Sequence, residues 1–298
     1  MPGGTSSPLL DTLSELSREL RPQVTTFQNT NLLVQVPDTV PDTLDIVWAA
    51  SRAAGSALEE LIMTLDVLWR CNPALTSRLV IPYLPYSRSE TPIPRASLGA
   101  AALLRHLDAL PTVRSYVLCE PHNSAVAGFS TRPVDCLSVI DDVVPWIQDT
   151  VRPEVVVAPD RGRAAQAVDI AHRTGILAEV LMKHRNDHED RPQALVSRRP
   201  AVQDKRVLLV DDELTTGQTA AGAVDVLRRN GAGRTHLLVH RSFASDATVS
   251  HLQQMLAPGV LATTALTERP HLAAFERLGL PILNLPHMIG RIMDSAAD

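Results

Sequence analysis

Short apolar runs alternate with segments of helical period along almost the whole chain, and that alternation leaves few folds open. Residues 32–36, 44–49, 78–84, 113–119, 154–158, 177–182, 206–210 and 234–240 read as strands, while 54–70, 95–108, 139–149, 163–174 and 219–229 read as helices. A last βαβ-like stretch covers 247–285. In 54–70 the helical spacing runs through Leu58, Leu61, Ile62, Leu65, Leu68 and Trp69. Alternation of this kind predicts an α/β protein with mainly parallel sheets flanked by helices. Ligands in such sheets bind beyond the carboxyl ends of the strands.

The stretch Arg206–Thr219, RVLLVDDELTTGQT, is the most informative of these units. The run Val207, Leu208, Leu209, Val210 reads as a buried strand. The carboxylates Asp211 and Asp212 follow it, then a turn of Thr215, Thr216, Gly217 and Thr219, then a helix. Loop amides, hydroxyls and a positive helix end can hold a phosphate. Paired carboxylates can face ribose hydroxyls, directly or through Mg²⁺. A plain acidic helix cap is the bland alternative. The segment resembles the phosphoribosyl-pyrophosphate (PRPP) motif shared by type I phosphoribosyltransferases and PRPP synthetases.

The rest of the chain separates the two. VIPYLPYSRSE at 80–90 resembles the signature of ribose-phosphate pyrophosphokinases, a strand running into a stiff Pro-Tyr-x-Pro-Tyr-x-Arg turn. Arg88 at its tip can pair with a nucleotide phosphate. Further resemblances follow in the family's order. VLCEPHNSAVAGF at 117–129 places His122 at the catalytic, metal-proximal histidine. VVVAPDRGR at 155–163 places Asp160, Gly162 and Arg163 on the pyrophosphate loop, with Asp160 at a Mg²⁺ position. MKHR at 182–185 places Lys183 and Arg185 at the basic positions of a mobile catalytic loop. TTFQNTN places Phe27 and Asn29 beside the adenine.

The resemblance spans about residues 25–290. It implies two phosphoribosyltransferase-like domains, 1–138 on the ATP side and 139–298 on the ribose-phosphate side. It implies transfer of the β,γ-pyrophosphoryl group of ATP to the 1-hydroxyl of ribose 5-phosphate, giving PRPP and AMP. Mg²⁺ is the implied cofactor, with His122 and Asp160 as its candidate ligands, and a homo-oligomer is the implied assembly. Asn31, Ser89 and Arg163 depart from the family's usual Glu, Gln and Gly. These departures keep open a related pyrophosphokinase with a larger ribose-phosphate acceptor. A type I phosphoribosyltransferase and a non-catalytic regulatory subunit stay open beside it.

Bulk properties agree with a cytoplasmic enzyme. A net charge of −5 with dispersed cations gives no basic face for nucleic acid. No apolar run is long enough to span a membrane. The first 20 residues lack a secretory pattern and read as an amphipathic helix with Leu9, Leu10, Leu13, Leu16 and Leu20 on its apolar stripe. Cys71, Cys119 and Cys136 have no metal-ligand spacing and read as reduced thiols. Residues 183–205, highly charged, read as a lid over the phosphates or as a solvated connection.

Overall fold

The computed structural model describes residues 9, 11–13, 22–36, 39–48, 54–89, 92–182, 194–195, 201–267 and 269–294. The chain divides into two compact units at Ser138/Val139, and the stretch from Met288 onward returns to the first of them.

The N-terminal unit carries a four-stranded parallel sheet in sequence order: β3 (Thr43–Val47), β4 (Thr76–Ile81), β5 (Val113–Cys119) and β6 (Val134–Leu137). An antiparallel hairpin of β1 (Gln23–Thr26) and β2 (Leu32–Gln35) precedes it. Helix α1 (Ala54–Cys71) joins β3 to β4, and α2 (Gly99–Asp108) joins β4 to β5. The apolar stripe of α1 is Leu61, Leu65 and Leu68, all buried. Trp69, expected on that stripe, is 40% exposed, because it lies about 100° around the helix from Leu68. Leu9 and Leu13 are buried; Leu10, Leu16 and Leu20 lie outside the described residues.

Asp108, at the end of α2, ties this unit together. Its carboxylate accepts from Tyr116 Oη at 2.8 Å, Ser130 Oγ at 2.8 Å, and the Thr131 amide and hydroxyl at 2.6 and 2.9 Å. Burial opposes its charge, but these hydrogen bonds outweigh that and hold the carboxyl below its ordinary range. The network fixes the chain between β5 and β6.

The C-terminal unit is built on a seven-stranded sheet in the order β13-β12-β11-β10-β7-β8-β9. Its strands are β7 (Val155–Ala158), β8 (Leu177–Met182), β9 (Ala194–Leu195), β10 (Val207–Leu214), β11 (Thr235–Ser242), β12 (Leu261–Thr264) and β13 (Ile282–Leu283). All pairs are parallel except β8 with β9. The helices are α3 (Ile140–Trp146), α4 (Ala164–Thr174), α5 (Gln218–Arg229), α6 (Asp246–Leu256) and α7 (Arg269–Arg277), and the last helix, α8 (Pro286–Asp294), belongs from Met288 onward to the N-terminal unit. Strands β7 and β10 read as unbroken apolar runs because they are central: Val155–Ala158 and Val207–Val210 have no exposed surface. The chain steps outward from β7 to β8 on one side and from β10 to β13 on the other. The order therefore reverses between β7 and β10, the switch point where open α/β sheets bind ligands.

Three differences from the expected elements have physical causes. Strand β10 continues past Val210 to Leu214, because β11 is long enough to pair with it there (Asp211 with Val239, Glu213 with Arg241). The helix read at 139–149 is divided: Pro145 sits inside α3, and the helix widens after it into a looser turn at Ile147–Val151. The short strands β1, β6 and β9 were absent from the sequence pattern. All four residues of β1 are exposed, so no alternation marks it.

Candidate functional site

The switch point gathers most of the residues expected to hold a ribose phosphate. Beyond β7 the chain turns through Pro159–Arg163. Asp160 stands at the head of a tight turn, and its Oδ1 accepts from the Gly162 amide at 2.9 Å. A Cβ on Gly162 would come within 3.1 Å of that oxygen, so a side chain there would press on the carboxylate.

On the neighbouring strand β10, the Asp211 Oδ1 accepts from the Asp212 amide at 2.9 Å. Asp211 is partly covered and Asp212 is buried, at 4% exposure. Burial, then the Asp212 charge and a side-chain hydrogen bond to it, push the Asp211 carboxyl up to about 8, while the Arg163 guanidinium pulls the other way. Arg163 does not point to solvent. It is 7% exposed, and its Nη1 lies 3.6 Å from Asp212 Oδ2. The position where the family usually has a glycine thus presents a buried cation to the acidic pair.

The turn after β10 leaves Thr215 and Thr216 exposed and Thr219 half-buried. Gly217 heads α5 with a positive φ of 75°, a region only glycine enters cheaply. It is also packed: an added Cβ would lie 2.7 Å from Thr248 Cγ2 and 3.2 Å from Leu252 Cδ1. As the capping residue Gly217 brings no side chain, and the Gln218 amide reaches Thr216 Oγ1 only at 3.5 Å. The first turn of the helix keeps amides available to an anion.

Sequence reading missed two buried polar residues here. His240 is fully buried on β11, and the flanking pairs Asp211–Val239 and Glu213–Arg241 set it opposite Asp212. Gln166 Nε2, from the first turn of α4, lies 3.0 Å from its ring nitrogens. Arg241 is 4% exposed. The signal was available in LLVHR, an apolar strand that ends in a histidine and an arginine.

In the N-terminal unit, the other expected residues follow the carboxyl ends of two adjacent strands and the tip of the hairpin. Ile81 of β4 pairs with Leu118 of β5, so the turn Pro82–Ser89 and the His122 segment start side by side. Arg88 is exposed and His122 half-buried. Ser89, one of the departures, ties the turn to the start of α2, since its Oγ accepts from the Gly99 amide at 3.2 Å and donates to Ser97 O at 3.0 Å. A Cβ on Gly99 would lie 2.7 Å from Tyr86 Cβ, so the turn packs directly on the helix start. Glu120 takes a positive φ of 45° while its amide reaches Leu137 O at 2.6 Å.

Phe27 is 51% exposed beside the hairpin turn, closed by Phe27 N–H to Asn31 O and Thr30 N–H to Phe27 O, each at 2.9 Å. Asn29 Oδ1 accepts from the Asn31 amide at 3.3 Å. Asn31 therefore serves the turn through its backbone. Lys183 and Arg185 lie outside the described residues, as does most of the 183–205 segment.

Among the described residues, no group of three or more His, Cys, Asp or Glu side chains is arranged to hold a metal ion. Mg²⁺ rarely requires one: it binds through one or two carboxylates, water and substrate phosphates. Asp160, a hard oxygen donor oriented by its own loop, fits that mode. No helix of the described residues is long and apolar enough to cross a membrane.

The phosphoribosyl transferase domain family matches residues 135–244. Ribose-phosphate pyrophosphokinase 2 of Schizosaccharomyces pombe is 26% identical over 255 residues, covering 83% of this chain and 77% of its own length. The ribose-phosphate pyrophosphokinase of Aquifex aeolicus is 25% identical over 246 residues, covering 82% and 78%. In fold, the chain is similar to the phosphoribosylpyrophosphate synthetase of Mycobacterium smegmatis, with a TM-score of 0.83, 22% identity, and 99% and 97% of the two chains covered. The resemblance to ribose-phosphate pyrophosphokinases is thus carried by both units.

Proposed function

We infer that this chain is a ribose-phosphate pyrophosphokinase, transferring the β,γ-pyrophosphoryl group of ATP to the 1-hydroxyl of ribose 5-phosphate. One observation carries the reading. Similarity to pyrophosphokinases extends over four-fifths of the chain, whereas the phosphoribosyl transferase domain accounts for residues 135–244 alone. A base-using transferase needs no second unit with a Pro-Tyr turn and a strand-end histidine.

The 1-hydroxyl oxygen attacks the β-phosphorus and loses its proton. The bond from that phosphorus to the α,β-bridging oxygen breaks, and AMP leaves with the oxygen. Such transfers depend on positioning and on neutralising charge. The α5 amides with Thr215, Thr216 and Thr219 take the 5-phosphate. Asp211 and Asp212 take the ribose hydroxyls. Burial and the Asp212 charge favour the protonated form of Asp211; a protonated carboxyl donates a hydrogen bond and a charged one accepts it, so the pair can address two adjacent hydroxyls with opposite polarity.

Phe27 stacks the adenine, with Asn29 shaping the turn, and Arg88 pairs with a nucleotide phosphate. Lys183 and Arg185 stabilise the transferring group and departing AMP, and His122 stands near the reacting phosphates. Asp160 would hold Mg²⁺, which would supply charge neutralisation on the polyphosphate. We further assign a cytoplasmic location and a homo-oligomeric state.

The decisive assay incubates the protein with ATP, Mg²⁺ and ribose 5-phosphate and resolves the products. AMP and PRPP in equal amounts are expected. ADP with a phosphorylated sugar would mean an ordinary kinase, and base-dependent loss of PRPP would mean a phosphoribosyltransferase. AMP formation only with a bulkier ribose phosphate would point to a different acceptor.

A further inference from the structure

Arg163 stands where it bears on how the acidic pair meets its ligands. Its guanidinium is buried on the loop after β7, and its partner Asp212 is buried on β10, the next strand across the switch point. The guanidinium acts on Asp211 as well, since it opposes the rise of that carboxyl. Asp211 in turn receives the Asp212 amide, so the two carboxylates and the guanidinium form one compact group. A guanidinium carries a fixed positive charge and five donors. A buried cation and carboxylate pair this closely because either alone would be an uncompensated charge.

A divalent cation approaching the same pair would meet that fixed charge at close range and in a poorly screened place. It would also find the pair's negative charge already offset. A ribose, by contrast, needs only hydrogen-bonding partners from the pair, and a guanidinium beside a carboxylate leaves these in place.

We propose that Arg163 is the resident cation of the acidic pair, so that ribose 5-phosphate binds at the switch point without a divalent metal. This rests on the reading of the switch point as the ribose-phosphate site. Mg²⁺ then serves only the polyphosphate of ATP, and the two requirements separate between substrates.

Two measurements test it on the full chain. Calorimetric titration of ribose 5-phosphate is run in EDTA and in Mg²⁺. The wild type is expected to bind equally in both. Arg163→Met, which keeps the aliphatic stem but not the charge, is expected to bind about tenfold or more weakly in EDTA, because it leaves a buried carboxylate uncompensated, and to recover in Mg²⁺. Arg163→Lys is expected to keep metal-independent binding. Separately, Mn²⁺ is titrated without sugar and followed by electron paramagnetic resonance. Arg163→Met should gain a Mn²⁺ site that the wild type lacks and that Asp212→Asn removes from the double variant.

Wild-type affinity for the sugar that rises tenfold with Mg²⁺ would overturn the proposal. So would identical Mn²⁺ binding by wild type and Arg163→Met. Should Arg163→Met fail to fold, as judged by circular dichroism, Arg163→Gln takes its place in both arms. If ribose 5-phosphate binds under no condition, the functional reading fails, and the Mn²⁺ arm still decides the role of Arg163.

Discussion

Replacing Gly217 by alanine is expected to cost about 2–5 kcal/mol, and the structure separates that cost into two parts that can be measured apart. The first is conformational: a residue with a Cβ held in the left-handed region costs about 1–2 kcal/mol, and Gly217 sits at φ 75°. The second is steric. The new methyl would stand 2.7 Å from Thr248 Cγ2 and 3.2 Å from Leu252 Cδ1, and overpacking a tight site costs about 1–3 kcal/mol. Thr248→Ser removes the nearer atom and keeps the hydroxyl that meets Ser245. The double variant Gly217→Ala/Thr248→Ser should therefore regain most of the steric part and none of the conformational part. Urea unfolding of the four proteins gives both terms from one cycle. Wild-type stability in Gly217→Ala would refute the reasoning, and failure of Thr248→Ser to relieve any of its loss would refute the steric half.

Other perturbations probe the remaining parts of the site. Burial and the Asp212 charge push the Asp211 carboxyl up to about 8 from an ordinary value near 3.8, so its protonated form favours folding. Stability from it is fully present below 3.8 and is lost as pH rises through about 8, a fall of a few kcal/mol at most. Asp211→Asn should flatten this part of a urea-measured pH profile, and an unchanged profile would deny the coupling. Asp108 has the opposite sign: its contribution is lost as pH falls through its lowered value, and Asp108→Asn should blunt that acid loss. Phe27→Ala should weaken ATP binding by calorimetry about three- to tenfold, from about 0.5–1.5 kcal/mol of stacking, and leave thermal stability unchanged because the ring is half exposed. Lys183→Ala and Arg185→Ala should each lower turnover about 100-fold or more without loss of fold; parallel losses in activity and melting temperature would make them structural.

The sequence pattern revealed the central strands well because burial on both faces writes an unbroken apolar run, as in Val155–Val157 and Val207–Val210. It also revealed the Thr/Gly turn, where Gly217 must be glycine for backbone and packing reasons alike. Strand order was not legible, since nothing in the period of β7 or β10 says that they lie side by side. For the same reason the contact of Arg163 with Asp212 was invisible: it joins the loop after β7 to the neighbouring strand β10, not residues related by spacing. The sequence marked Arg163 as a departure on the pyrophosphate loop but gave no sign that its partner is a carboxylate of the site itself. Ser89 was a departure from a motif in the sequence and became a helix tie only when Gly99 stood beside it.

The return of the chain's last described helix has a consequence for manufacture. Arg78 of β4 donates to Ile292 O at 2.8 Å, Arg291 reaches Asp135 at 3.8 Å, and Met288 and Ile292 are buried. Helix α8 thus completes the unit made first, although it leaves the ribosome last of the described elements. Val139–His287 must be synthesised in between, a delay of roughly seven to thirty seconds at about 5–20 residues per second. During that interval the early sheet waits with the seat of α8 uncovered, open to chaperones or to wrong partners. A stalled or clipped nascent chain would then betray itself at its beginning: limited proteolysis should cut first among residues 76–137, far in sequence from the missing end.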